Sequence, residues 1–175
     1  MKMKLERASQ NPPRGLQELL ADLGDGENGF TGTPVHNGGM AMRDYLQSCC
    51  DMSDESKLKS GLVPQTVFWV LDPEGIAIGM VKVRHYLNAN LRIHGGHIGY
   101  FISSDQRGKG YGKQALALAL VELRKLGETR VLITINPENI PSLRVVEANG
   151  GQYHDMSSDP ETGLKVKRYW IRMKP

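Results

Sequence analysis

The sequence predicts a mixed α/β fold: a twisted, mostly antiparallel sheet with a central parallel β-α-β unit and helices on both faces. Three observations predict it. Residues 66–71 and 76–86 are β-rich runs joined by Asp72-Pro73-Glu74-Gly75. Proline presets φ and glycine accepts a positive φ there, so the two runs form a hairpin. Residues 97–102 and 131–135 are short apolar runs with a long helical pattern between them, and strands joined by a helical crossover run parallel. Within that pattern Ala115, Leu116, Ala119, Leu120, Leu123 and Leu126 recur at three- and four-residue spacing, which turns one stripe toward a core.

The remaining elements follow in chain order. Residues 1–8 alternate, with Met1, Met3 and Leu5 on one face, and read as a first strand until Pro12, Pro13 and Gly15 end it. Leu16, Leu19, Leu20 and Leu23 have helical spacing, with Gly24 as the stop. Residues 25–39, rich in Gly, Asn and Thr, read as a long loop of functional or mobile character. Residues 40–50 carry Met42, Tyr45, Leu46 and Cys49 on a helical face, and 51–61 is a polar connection. Residues 87–96 read as a loop. Gly127 stands where a helix C′ glycine is expected. Asn139 with Pro141 opens a helix that Gly150 and Gly151 close. Residues 152–157 and 164–173 are the last two strands.

The chain has 175 residues, 39% of them apolar and 23% charged, which suits one globular domain with a sizeable core. The net charge of +3 argues neither for nor against nucleic acid, and no basic helix interleaved with aromatics supports that class. Charge is uneven: residues 1–60 carry 7 basic and 9 acidic side chains, residues 61–175 carry 15 and 10. Excess positive charge favours a polyanionic ligand in the second part, and ordinary solvated surface accounts for it as well. The two cysteines, Cys49 and Cys50, are adjacent, so they close no useful loop and have no metal-ligand spacing. With no apolar segment of signal-peptide or membrane-spanning length, the expectation is a reduced, cytoplasmic, metal-free protein that uses no membrane.

The chemistry centres on Arg107-Gly108-Lys109-Gly110-Tyr111-Gly112, which follows one strand and opens the long helix. Glycines allow a tight turn and close approach of a ligand. The first helical turn has N–H groups without partners at the positive end of the dipole, so strand, loop and helix build a phosphate or pyrophosphate site. The nucleoside-triphosphatase pattern fails, because Lys113 is followed by Gln114. The dinucleotide pattern fails too, because the glycines give G-x-G-x-G.

The loop does fit [RQ]-x-x-G-x-[GA], and with the strand before it, the helix and strand after it, and Asn139-x-x-Ser142 opening another helix, residues 95–151 resemble the GNAT superfamily of N-acetyltransferases. Arg84-His85-Tyr86-Leu87-Asn88, residues 95–100 and Tyr169-Trp170-Ile171 look like one bacterial branch of it, a likeness that names no substrate. The resemblance implies a single acetyltransferase domain over residues 1–175, with 1–60 on the acceptor side and 65–175 holding the sheet and acyl-CoA core. It implies acetyl-CoA as co-substrate, with strands 97–102 and 131–135 splayed and the pantetheine arm against the backbone of Tyr100, Phe101 and Ile102. The pyrophosphate would rest on the amides of residues 107–112. Arg107 is then a charge partner or a surface arginine, and Asn139 and Ser142 are cofactor neighbours or helix caps.

The implied reaction is aminolysis of a thioester by a small-molecule or peptide amine, and the resemblance leans to a homodimer. Many members have a carboxylate base where this chain has His97, and a tyrosine acid where it has Val146. An imidazole suits general base work, or it is a satisfied histidine at a strand end. Valine donates no proton, so a catalytically silent acyl-CoA-binding module is the alternative to an enzyme.

Overall fold

The computed structural model describes residues 2–174, so Met1 of the first expected strand lies outside the described residues. Strands β1 (Lys4–Arg7), β4 (Gln65–Leu71), β5 (Ala77–Arg84) and β6 (Ile98–Ile102) form one antiparallel sheet in the order β1-β4-β5-β6. Strands β7 (Arg130–Ile135), β9 (Lys165–Arg172) and β8 (Gln152–Ser158) form a second, in the order β7-β9-β8. A short pair, β2 (Gly26–Glu27) and β3 (Phe30–Thr31), stands apart. The fold is therefore mixed α/β and largely antiparallel. The central parallel pairing expected from the sequence is absent from the ladders: β6 and β7 share none, and the parallel contact recorded is the isolated Arg14–Ile76 bridge. A helical crossover puts two strands side by side, but the ladder also needs both edges to face, and here they meet only at one end.

Helices cover both faces of the first sheet. On one face α1 (Leu16–Leu23) buries all four of its periodic leucines, and α2 (Met42–Asp51) buries Tyr45, Leu46 and Cys49. Trp69, Met80 and Phe101 of the sheet meet them. On the other face α4 (Tyr111–Lys125) lays Ala115, Leu116, Ala119 and Leu123 against Val81, Val83 and Ile98, and α5 (Ile140–Ala148) adds Leu143 and Val146. The β4–β5 turn closes as its sequence dictates: Asp72 Oδ1 accepts from the amides of Glu74 and Ile76, both at 2.9 Å, and Gly75 takes φ 80°.

Two loops hold more structure than their composition predicts. Residues 25–39 contain the β2–β3 pair and a 3₁₀ turn at Pro34–Asn37, so this is a built loop. Residues 87–96 contain α3 (Ala89–Ile93), whose N-cap Asn88 accepts from Leu91 N–H at 2.9 Å. No helix among the described residues is long and apolar enough to cross a membrane.

Candidate functional site

The segment between β6 and α4 leaves its amides open. A 3₁₀ turn at Ser104–Gln106 leaves β6, pinned to the end of α1 where Asp22 accepts from Ser104 N at 2.8 Å and Oγ at 2.7 Å. The chain then turns through Gly108 at φ 75° and Gly110 at φ 82°. Side chains avoid that region at a cost of about 1–2 kcal/mol. Gly110 is the N-cap of α4 and has no side chain to cap with; its carbonyl accepts from Gln114 N–H at 3.2 Å. The amides of Tyr111, Gly112 and Lys113 precede that first bond and have no acceptor within the helix. A glycine cap forfeits only about a few tenths of a kcal/mol relative to a Ser, Thr, Asp or Asn cap. Full burial of Leu116 and Leu123, each 0% exposed, contributes roughly 1.5–3 kcal/mol apiece, so α4 forms regardless. A Cβ added at Gly108 meets nothing within 4 Å, so the loop faces open space on that side. Bare glycine backbone, unpaired amides and the positive helix end fit a diphosphate.

Arg107 is a tie rather than a free cation. Its Nε donates to Ile102 O at 3.0 Å, its terminal nitrogens donate to Glu27 at 3.1 and 2.5 Å, and its guanidinium lies 5.5 Å from the Phe101 ring centre. It thereby fastens the β2–β3 pair to the loop. Lys109 Nζ reaches Gln106 Oε1 at 2.9 Å. The residue sequence reasoning missed is Glu27, and no local pattern marks it.

The strand leading in alternates faces. Tyr100 and Ile102 pack toward α4 and α5, while Phe101 packs toward Phe30, ring centres 6.2 Å apart. Tyr100 Oη lies 2.8 Å from Ser142 Oγ, and Asn139 Oδ1 accepts from Ser142 N–H at 3.3 Å. Asn139 is thus a helix cap, and Ser142 bridges α5 to β6. Burial raises the Tyr100 pKa, so its hydroxyl keeps its proton. A Cβ on Gly112 would sit 3.5 Å from Val145 and 3.7 Å from Tyr100, ordinary van der Waals distances, so α4, α5 and β6 meet around this position. Tyr100, Gly112, Asn139 and Ser142 converge at the N-terminal ends of both helices. Val146 is 0% exposed, and a Cβ on Gly151 would fall 2.4 Å from it.

His97 sits where β6 and β7 meet. Its backbone N–H donates to Leu132 O at 2.8 Å, and its ring Nδ1 accepts from Leu132 N–H at 2.9 Å. Nε2 is 3.8 Å from Glu128. The residue is 3% exposed. Burial, then the positive charges of Arg92 and Arg84, lowers its pKa to about 4. At neutral pH the ring is uncharged, and its Nδ1 lone pair is committed to Leu132. Beyond this clamp the strands share no ladder, so the β6 edge facing β7 has no strand on it.

Two cavities lie near this end, one at His97 and one at Arg84. One, about 270 Å³, is lined by His97, Tyr86, Arg92, Glu128, Arg130 and Trp170. The other, about 330 Å³, lies under the α3 segment beside Arg84.

An acetyltransferase (GNAT) domain family matches residues 31–152. No curated protein matches the chain in sequence. Among solved structures, a GnaT-family acetyltransferase of Bordetella pertussis is similar at 20% identity and TM-score 0.65, with 97% of this chain and 95% of that one covered. An acetyltransferase structure from Salmonella typhimurium, solved with its cofactor acetyl-CoA, gives 12% identity and TM-score 0.62 over 99% and 95%. The spermidine/spermine N-acetyltransferase of Vibrio cholerae gives 16% identity and TM-score 0.65 over 98% and 95%. The structural likenesses show the fold, and the family match spans well over half of the chain. The chain belongs to the GNAT acetyltransferase family.

Proposed function

We propose that the protein transfers an acetyl group from acetyl-CoA to a primary amine. The observation that carries this reading is the uncapped α4 N-terminus, with open amides over residues 108–113, placed at the end of a strand whose far edge is unpaired. When bound, acetyl-CoA supplies an activated thioester acyl group. The amides following Gly108 and Gly110 hold its diphosphate, and the helix dipole favours that charge. The main chain of β6 near Tyr100, Phe101 and Ile102 aligns the acyl arm by added-strand hydrogen bonding. One of its N–H groups is suited to donate to the developing oxyanion. Arg107 keeps the loop in shape through Glu27.

Of the two readings the sequence leaves open for His97, a general base or a satisfied histidine at a strand end, the hydrogen bonding favours the second. A general base needs a free lone pair, and the Nδ1 pair of His97 already accepts from Leu132. We therefore assign His97 to holding the mouth of the β6–β7 gap, and deprotonation of the amine to water or to its own free-base fraction. Val146 has no proton, and the buried Tyr100 hydroxyl has one. We therefore assign Tyr100, whose hydroxyl pairs with Ser142 Oγ at 2.8 Å, as the proton source for the leaving thiolate. Tyr100→Phe is expected to lower kcat about 10²-fold with acetyl-CoA affinity nearly unchanged. A kcat within a factor of three of wild type would remove Tyr100 from the mechanism.

Calorimetry against acetyl-CoA, followed by free-thiol release with a panel of amines, tests the reading as a whole. Binding with turnover of at least one amine is the expected result. No binding at millimolar acetyl-CoA would overturn it. Binding without turnover of any amine would favour the acyl-CoA-binding module, which the buried Val146 at the usual acid position supports.

A further inference from the structure

Resting on the acetyl-transfer reading, we infer that the acceptor is an amine carrying an anionic group, which Arg84 and Lys82 recognise on the α1–α2 face of the sheet. The first observation is placement. Lys82 pairs with Gly99 across the β5–β6 ladder, and Arg84 N–H donates to His97 O at 2.8 Å. The two cations therefore lie beside the start of the strand that would carry the thioester, on the side away from α4. Met80, on the same face of β5, is part of the core under α1 and α2.

The second observation is that neither cation is neutralised. No ion pair among the described residues includes Lys82 or Arg84. Among the described residues Lys82 Nζ has no hydrogen-bond acceptor, and it stands 4.6 Å from the Phe30 ring centre. Arg84 spends Nη1 on the carbonyls of Gly95 and Gly96, at 2.9 and 3.1 Å, and its Nε and Nη2 bond nothing. Burial lowers the pKa of both groups, and repulsion from Arg84 adds to the effect on Lys82 while the nearby Cys49 thiol opposes it. Both side chains are half-buried and their unbonded nitrogens are not sealed from solvent, so a ligand can reach them. An anionic ligand supplies the missing counter-charge.

The third observation is room. Arg84 lines the cavity of about 330 Å³, whose walls include Met52, Leu58, Leu62 and Leu91, with Asn88 and Gln65 as polar groups. Its volume lies at the low end of the range for small-molecule sites. Strands rise roughly 3.3 Å per residue, so three residues from Tyr100 back to His97 span about 10 Å. The amine and the anion are therefore several bonds apart, as in an ω-amino acid. A polyamine acceptor, like that in the name of the Vibrio cholerae relative, would bring further positive charge to two unpaired cations and is disfavoured.

The test compares ω-amino acids from glycine to 6-aminohexanoate with n-alkylamines and α,ω-diamines of matched length, using the full chain, acetyl-CoA and free-thiol release. At least one ω-amino acid is expected to exceed its matched alkylamine in kcat/KM by about 10- to 100-fold, the range of a charge-assisted hydrogen-bonded pair. Arg84→Gln should collapse that ratio toward one, chiefly through KM, and Lys82→Gln should narrow it. The ratio is internal to each variant, so partial loss of folded protein does not mimic the effect. Equal or better rates with alkylamines or diamines overturn the inference, as does an unchanged ratio in Arg84→Gln. If acetyl-CoA binds and no amine turns over, calorimetry of N-acetyl-6-aminohexanoate against N-hexylacetamide in the presence of CoA decides: a carboxylate preference supports the inference and none overturns it. Absence of acetyl-CoA binding itself is the separate failure of the parent reading.

Discussion

Gly110→Val should abolish acetyl-CoA binding while leaving a folded protein. Gly110 has φ 82° and is the N-cap of α4. A β-branched residue there is a strong outlier, and its strain of about 1–2 kcal/mol lowers Tm by roughly 2–8 °C for a chain of this size. The valine methyls would also stand between a diphosphate and the amides of residues 111–113. Losing two charge-assisted hydrogen bonds raises Kd by at least about 100-fold. Gly127→Val is the control: Gly127 has φ 90°, with open space around an added Cβ, at the opposite end of the same helix. It carries similar strain and should bind acetyl-CoA like the wild type. The pair is read by calorimetry and thermal melting. Equal loss of affinity in both variants would show that backbone strain, and not access to the amides, governs binding.

The second large effect is on stability at mildly acid pH. His97 titrates near 4 when folded and near ~6.5 when unfolded. Between these values the unfolded chain binds a proton that the folded chain refuses. The contribution is thus complete above about pH 6.5 and is lost as pH falls toward 4. The gap corresponds to about 3 kcal/mol, a large share of a typical folding free energy. In His97→Asn the amide oxygen is able to accept from Leu132 N–H, and no proton is taken up. Urea unfolding at several values between pH 7.5 and 4.5 should show a shallower decline in the variant. Parallel curves would mean that His97 does not drive the loss. The same variant separates the two roles of this residue. A general base is worth about 10²–10⁴-fold, whereas a clamp whose hydrogen bond is kept should leave acyl transfer within about 10-fold of wild type.

Much of the fold is legible in the sequence because its signals are local. The four leucines of α1 and the apolar stripe of α4 repeat with the helix; α1 buries all four, and α4 buries Ala115, Leu116, Ala119 and Leu123 while Leu120 is half-buried and Leu126, past the helix end, is exposed. The Asp72–Gly75 turn carries its own hydrogen bonds, so the β4–β5 hairpin needs no distant information. The α3 segment was not legible. Five residues show no period, and its sign is one capping residue, Asn88. The β2–β3 pair was hidden for a similar reason: each strand has two residues, and Phe30 is held by Phe101 from 71 positions away.

The sequence by itself determined the order strand, glycine loop, helix, and with it the position of the open amides. Glycine conformation and helix polarity are properties of a few consecutive residues, so any fold that keeps the order keeps that chemistry. Only the tertiary structure decided whether β6 and β7 pair, because a ladder depends on how two distant edges meet, and here they meet at the His97–Leu132 contact without forming one. It also decided the roles of charged and polar side chains. Arg107 reads as a charge partner or a surface arginine until Glu27 is found beside it, and nothing in the sequence marks Lys82 and Arg84, neither of which forms an ion pair among the described residues. Charge is written in the sequence; its neutralisation depends on which distant residues burial brings within a few ångströms.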